Sequence, residues 1–163
     1  MAAYLLETRT VVPLEIRQVF RFFANPENLN LLTPRWLRFR MLTLPPWVMQ
    51  PGTVLDYRIR LHGWPIAWRT EITVWNPPHQ FVDEQRRGPY RWWIHTHDFT
   101  ETADGTEILD RVEYSPRGGA LAQGLLVGSD LRRIFTHRHH ALRKELCVTD
   151  TTARVHVALT RLD

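Results

Sequence analysis

The hydrophobic pattern changes its period along the chain, and each change marks a new predicted element. Residues 4–12 (YLLETRTVV) predict a strand. After Pro13, residues 14–24 place their apolar side chains at helical spacing, which predicts a helix that begins near the proline. Residues 28–32 predict a second, shorter helix before Thr33 and Pro34. The first part of the chain therefore reads as one strand followed by two helices.

A long strand-rich region follows from Trp36 onward. The breaks between its segments are short and rich in Pro and Gly, so consecutive strands are expected to form antiparallel hairpins. The predicted strands are 37–43, 53–62, 66–75, 80–86, 90–100 and 106–115.

The pattern becomes helical for the last time after Pro116. One face of a long predicted helix carries Leu121, Leu125, Leu131, Phe135, Arg138, Leu142 and Leu146. An antiparallel sheet with one apolar face must cover that face, and this helix is the available cover. A curved sheet around such a helix leaves a gap in which a small molecule can bind.

Composition narrows the class of protein. A length of 163 residues predicts one domain. The seven Trp indicate either an aromatic-lined cavity or a Trp-rich core. A single cysteine, Cys147, excludes an internal disulfide and a cysteine zinc site.

Charge and hydropathy bear on location and partners. The net charge is +4, but basic residues are scattered among acidic ones, which argues against nucleic acid as a partner. Charged residues interrupt every apolar run near the N-terminus, so we expect no signal peptide. No apolar stretch approaches the roughly 20 residues of a membrane span, so we expect no membrane insertion and a cytoplasmic location.

Three segments carry a resemblance to a known superfamily: FANPENLNLLTPRW (23–36), WRTEITVWNPPHQFVDEQRRGPYRWWIHTHDF (68–99) and DLRRIFTHRHHAL (130–142). With the element order, they resemble the SRPBCC proteins, which include START-related lipid-transfer domains, the birch-pollen allergen group and aromatic polyketide cyclases. The resemblance covers about residues 3–146.

The resemblance implies an α+β helix-grip fold. A curved seven-stranded antiparallel sheet would wrap a long C-terminal helix, with two short helices between the first two strands. We expect residues 1–146 to form this domain and residues 147–163 to be an extension. The extension is either an extra strand or a loose tail, and a strand there either pairs with its own sheet or forms a homodimer.

Strand alternation sorts the candidate site residues by face. A predicted internal polar network contains Asp83, Gln85, His95, His97, Asp110 and Arg138. The apolar wall beside it is predicted to contain Tyr57, Trp68, Trp93 and Phe135. The network either only specifies the fold, or it binds the polar end of a small hydrophobic ligand such as a lipid, quinone or polyketide-like molecule.

Two chemical alternatives involve His95 and His97. In a polyketide cyclase or dehydratase, either histidine would act as the acid or base. The His-x-His pair with Asp83 also resembles a zinc ligand set, but the spacing is common and no second cluster supports it. We therefore expect no metal and no cofactor, and favour ligand binding over catalysis. A third reading is a partner-binding module with a vestigial cavity.

Overall fold

The computed structural model describes residues 2–146 and 156–162. Its strands form one antiparallel sheet in the order β2-β3-β4-β5-β6-β7-β1-β8. The strand bounds are β1 Ala3–Val12, β2 Arg40–Met41, β3 Val54–Leu61, β4 Trp64–Asn76, β5 Gln80–Arg87, β6 Tyr90–Thr102, β7 Gly105–Pro116 and β8 Val157–Leu162. All neighbouring strands from β2 to β7 are hairpin partners in sequence, as the short breaks predict.

The helices lie at the two places where the sequence predicts them. Between β1 and β2 come α1, Ile16–Phe23, and α2, Leu29–Leu32. After β7, α3 (Gly119–Ala122) continues through a π-helical turn into α4, Gly128–Glu145. Helix α4 buries Leu131, Phe135, His139 and Leu142 against the sheet. The long helix therefore covers the apolar face of the sheet, which is the predicted architecture.

The predicted strand at 37–43 is wrong in extent, because only Arg40–Met41 pairs with β3. Arg35–Leu37 forms a 3₁₀ turn, and Arg38 then takes a left-handed conformation with φ 45°. Such a residue reverses the chain direction and cannot continue a strand. Arg38 and Arg40 alternate with apolar residues and so imitate a strand pattern. Most of this segment, however, has no neighbouring strand to pair with.

The predicted apolar face of the last helix is wrong in its first two positions. Leu121 and Leu125 are 73% and 68% exposed, whereas Leu131 onward is buried as predicted. The π-helical turn at Gln123–Val127 explains the difference, because Leu125 lies within this wider turn and Leu121 before it, so neither keeps the face of an ideal α-helix.

The sheet has eight strands rather than seven, because the C-terminal extension contributes β8. This strand pairs antiparallel with β1, from Ala3 opposite Leu162 to Thr8 opposite Val157. The sequence leaves open a loose tail, a strand on the protein's own sheet or a strand that forms a homodimer. In the structure the extension contributes a strand to its own sheet. Cys147 lies outside the described residues. Within residues 2–146 and 156–162, no helix has the length and apolarity needed to cross a membrane.

A row of polar side chains crosses the inner face of the sheet and divides its core in two. We call this row the polar belt; it contains Thr8, Asp110, His97, His95, Asp83 and Thr70. One apolar cluster lies on one side, around Tyr4, Trp68, Trp93, Tyr114 and Phe135. The other lies beyond it, around Val12, Phe20, Ile72, Phe99 and Leu142. Buried polar residues inside an apolar core need an explanation. Here the polar belt lies next to a cavity.

Candidate functional site

A cavity of about 200 Å³ lies between the sheet and α4. Its wall is mostly apolar, and strands β3 to β6, α2 and α4 all contribute to it. The structure brings all four predicted apolar residues to this wall: Tyr57, Trp68, Trp93 and Phe135. Only two of the seven tryptophans, Trp68 and Trp93, line the cavity, and the other five are half-buried or exposed, so they support neither an aromatic-lined cavity nor a Trp-rich core.

Aromatic rings pack against one another along one side of the cavity. Tyr57 stacks on Trp68 with ring centroids 5.9 Å apart, and Trp68 meets Trp93 edge-on at 5.5 Å. Such pairs fix ring positions, so the wall is pre-formed. Burial raises the pKa of Tyr57 well above its ordinary value, so its hydroxyl stays protonated.

Two histidines and two aspartates from the polar belt form a compact cluster at the cavity. His97 Nε2 lies 3.1 Å from Asp83 Oδ2, and His95 Nδ1 lies 3.8 Å from the same oxygen. On the other side, His95 Nε2 lies 3.2 Å from Asp110 Oδ1. His97 Nδ1 lies 2.7 Å from that Asp110 oxygen, although the contact is too bent to count as a hydrogen bond. The two imidazoles are thus held between two carboxylates.

The strand register produces this arrangement. His95 pairs with Asp83 across β5–β6, and His97 pairs with Asp110 across β6–β7. Because the two histidines are two residues apart on one strand, their side chains share a face and lie side by side. Their ring centroids are 3.8 Å apart.

Two further side chains fix the carboxylates. Thr70 Oγ1 donates a 2.9 Å hydrogen bond to Asp83 Oδ1, and Arg138 Nε of α4 lies 3.7 Å from Asp110 Oδ2. Asp83 and Arg138 line the cavity with the two histidines, whereas Asp110 is buried behind them. Thr70 was not among the predicted site residues, because a threonine in a strand gives no signal of its own in the sequence.

The charges in the cluster follow from its contacts. Burial raises the pKa of Asp110, but His97, His95 and Arg138 outweigh it, and the pKa lies well below its ordinary value. In Asp83, burial is likewise outweighed by the two histidines, and the pKa is lowered. Both carboxylates are therefore ionised.

The two histidines differ in protonation. Burial lowers the pKa of His97, but Asp110 and Asp83 reverse this, and the pKa lies above its ordinary value. For His95, burial and the charge of His97 dominate over the carboxylates, and the pKa is lowered. The cluster thus holds one imidazolium and one neutral imidazole, which with Arg138 balance the two carboxylates.

Gln85 is the predicted site residue that the structure places elsewhere. Its side chain closes the β5–β6 hairpin: Nε2 donates to the carbonyl of Tyr90 at 3.0 Å, and Oε1 accepts from the Tyr90 N–H at 3.3 Å. It does not line the cavity. The cause is a register irregularity between Arg69 and Thr70 on β4, which ends the regular alternation there.

The histidines of α4 differ in exposure. His140 is exposed, whereas His137 is half-buried and packs edge-on against Trp36 at 5.3 Å. His139 is buried, and its Nδ1 forms a 2.7 Å hydrogen bond with Thr10 Oγ1. Sequence reasoning missed the Thr10–His139 pair, because the contact depends on both the phase of α4 and the register of β1 in the sheet.

With the geometry established, comparison with known proteins gives the family. A family model described as a domain of unknown function (DUF8410) matches residues 61–146, which is more than half of the chain. The chain belongs to this family. The matched segment of this DUF8410 protein includes Asp83, His95, His97, Asp110 and Arg138. None of the curated proteins is similar enough in sequence to count as a relative.

Solved structures are similar to the DUF8410 protein over most of its length. Protein CV1439 from Chromobacterium violaceum matches with a TM-score of 0.71 at 14% identity, covering 87% of this chain and 96% of that one. Ara h 8.0201 matches with a TM-score of 0.64 at 13% identity, covering 89% and 98%. The Zhui aromatase/cyclase from Streptomyces sp. R1128 matches with a TM-score of 0.66 at 12% identity, covering 88% and 93%. These matches confirm the helix-grip fold.

Proposed function

We propose that this DUF8410 protein binds a small, largely apolar organic molecule between its sheet and α4, with the polar group of the ligand against Asp83, His95 and His97. The observation that carries the proposal is the position of these charged groups on the wall of an otherwise apolar cavity. A network that served the fold alone would be expected to be closed off inside the core, as Asp110 is.

The size of the cavity limits the size of the ligand. An apolar cavity of about 150 Å³ holds one benzene molecule. The cavity of about 200 Å³ therefore suits a molecule with one or two rings. A longer lipid or polyketide chain would require α4 or the β3–β4 hairpin to move outward.

The polar wall also limits the chemistry of the ligand. Asp83 offers a carboxylate acceptor and the guanidinium of Arg138 offers donors, and both line the cavity. A hydroxyl or an enol satisfies both kinds of group, because its oxygen accepts and its proton donates. We therefore favour a phenolic or enolic ligand over a hydrocarbon.

A cavity-filling substitution tests this proposal. Ile134 lines the cavity on α4, so Ile134→Trp should weaken binding of an apolar fluorescent probe such as phenylnaphthylamine by at least about 10-fold. Arg132→Trp is the matched control, because it adds the same side chain to an exposed position of the same helix. Equal probe binding by both variants and the parent would contradict binding in this cavity.

Native mass spectrometry of the purified protein addresses the ligand itself. A co-purifying organic mass that is retained by Arg132→Trp and lost from Ile134→Trp would identify the ligand.

The cytoplasmic location and the absence of a nucleic-acid partner stay predictions from composition.

A cyclase or dehydratase is the second candidate, favoured by one observation. His95 is a neutral imidazole at the cavity wall, with its other ring nitrogen 3.2 Å from Asp110, which is the arrangement of an oriented general base. The aromatase/cyclase match shares the fold only. His97→Asn and His95→Gln should then abolish turnover of a poly-ketone while leaving probe affinity within about threefold. In a carrier, the same changes should weaken binding instead.

A further inference from the structure

Three donor atoms of the site converge on one point. His97 Nε2, His95 Nδ1 and Asp83 Oδ2 face one another at the cavity wall, and the ligand atoms of these three residues lie within 4.8 Å of one another. The sequence alone does not favour a metal here, since a His-x-His spacing is common. The contacts of the other ring nitrogens and of the second Asp83 oxygen, however, favour a metal site.

Each of the three side chains has its outward atom held by another residue. Asp110 Oδ1 lies 3.2 Å from His95 Nε2 and 2.7 Å from His97 Nδ1, which are the ring nitrogens that face away from Asp83. The second oxygen of Asp83 accepts the hydrogen bond from Thr70. Metal-binding histidines usually place their other N–H against a carboxylate, which fixes the ring and its tautomer. Here His95 has this contact as a hydrogen bond to Asp110, and His97 has it as a close but bent contact with the same oxygen.

The geometry points to a binding site for one divalent transition-metal ion, which we propose is held by Asp83, His95 and His97 at the cavity wall. Two imidazoles and one carboxylate are a ligand set of catalytic zinc sites. Ligands at about 2.0–2.1 Å from a tetrahedral zinc lie about 3.4 Å apart. Asp83 Oδ2 lies 3.1 Å from His97 Nε2 and 3.8 Å from His95 Nδ1, so small side-chain shifts suffice.

The fourth coordination position faces the cavity, because all three ligands line it. With neutral imidazoles, one divalent ion, the carboxylates of Asp83 and Asp110 and the guanidinium of Arg138 carry a formal charge of +1. Arg138 lies on the Asp110 oxygen that does not face the histidines, so it does not compete for the ligands. An anionic oxygen, such as hydroxide or the deprotonated oxygen of a bound enol or phenol, fits this position.

Zinc retention by the full chain, purified without a histidine tag and stripped with a chelator, tests the proposal. After dialysis against Zn²⁺ and then buffer, elemental analysis should find one zinc per chain. The double variant His95→Gln/His97→Gln should retain none, with an affinity lower by at least about 100-fold. Asp110→Asn should bind about 10- to 100-fold more weakly, because it removes the group that orients both rings.

Controls separate this site from adventitious binding and from misfolding. His137→Gln/His140→Gln removes the two histidines of α4 that are not fully buried, and it should leave zinc retention unchanged. Thr70→Val removes the hydroxyl that donates to Asp83 and, at 3.2 Å, to the carbonyl of Glu84, and it should lower affinity about 10-fold in a protein whose melting curve stays cooperative. Zinc retained by the His95/His97 variant, zinc lost from the His137/His140 variant, or no zinc in the parent protein would each overturn the proposal. Probe binding is measured separately, so failure here leaves the organic-ligand proposal untouched.

Discussion

Two buried histidine sites lie between the sheet and α4, and they have opposite chemistry. His97 on β6 lies between the carboxylates of Asp83 and Asp110, next to the cavity. His139 on α4 reaches Thr10 on β1 instead and does not line the cavity. Both side chains are almost fully buried, so burial alone does not distinguish them.

The partners make the difference. Carboxylates hold the pKa of His97 above its ordinary value, whereas burial, Arg143 and His140 lower the pKa of His139 to about 4. A neutral imidazole on a hydroxyl fills space and satisfies a polar group. An imidazolium between two carboxylates at a cavity wall is a charged site that can bind a ligand, or a metal ion once the proton is released. The comparison therefore favours the polar belt over the Thr10–His139 pair as the proposed binding site.

The largest effect is expected from Asp110→Asn. Removing this charge leaves the His97 and Arg138 cations buried without their main partner, so the free energy of unfolding should fall by about 3–5 kcal/mol. Urea denaturation of parent and variant measures this loss.

Asp98→Asn is the matched control for that experiment. Asp98 on β6 accepts a 2.8 Å hydrogen bond from Arg111 on β7, and both side chains are partly exposed. Such pairs contribute about 0–1 kcal/mol to stability. Equal losses in the two variants would mean that the charged cluster around Asp110 has no special role in stability.

A smaller effect is expected from Thr10→Val, which keeps the side-chain shape and removes the hydroxyl. His139 Nδ1 then loses its partner, and the free energy of unfolding should fall by about 1–2 kcal/mol. A double-mutant cycle with His139→Phe should assign most of this loss to the pair. Probe binding and zinc retention should not change, and a change in either would mean that this site is coupled to the cavity.

The sequence predicts which residues form the site better than it predicts the contacts between them. Strand alternation places His95, His97, Asp83 and Asp110 on one face, because a period of two needs no knowledge of neighbouring strands. The fold itself follows from the order of elements and from the need to cover one apolar face. These features depend on local pattern, which a single sequence contains.

Other features depend on register and helix phase, which the sequence does not show. Gln85 has the predicted parity, but the irregular pairing at Thr70 and the hairpin turn direct its side chain to Tyr90. Leu121 lies before the π-helical turn and Leu125 lies within it, so an ideal helix misplaces both. Thr70 and Thr10 become informative only when their partners are known. Errors therefore arise where one strand or helix turn departs from ideal geometry.

A pH dependence of stability is also expected, and it originates at His139. Its pKa in the folded protein is about 4, against an ordinary value of 6.5, so the unfolded chain binds the proton more readily. Stability from this group is complete above about pH 6.5 and is lost as the pH falls towards about 4, by at most about 1.4 kcal/mol per pH unit. His139→Asn does not titrate and retains a polar atom near the Nδ1 position. Urea denaturation of parent and variant between pH 7 and pH 4.5 should therefore show a difference that shrinks with acidity, because the other titrating groups are common to both proteins. A constant difference would mean that His139 titrates normally, and the contrast between the two histidine sites would then rest on the cavity alone.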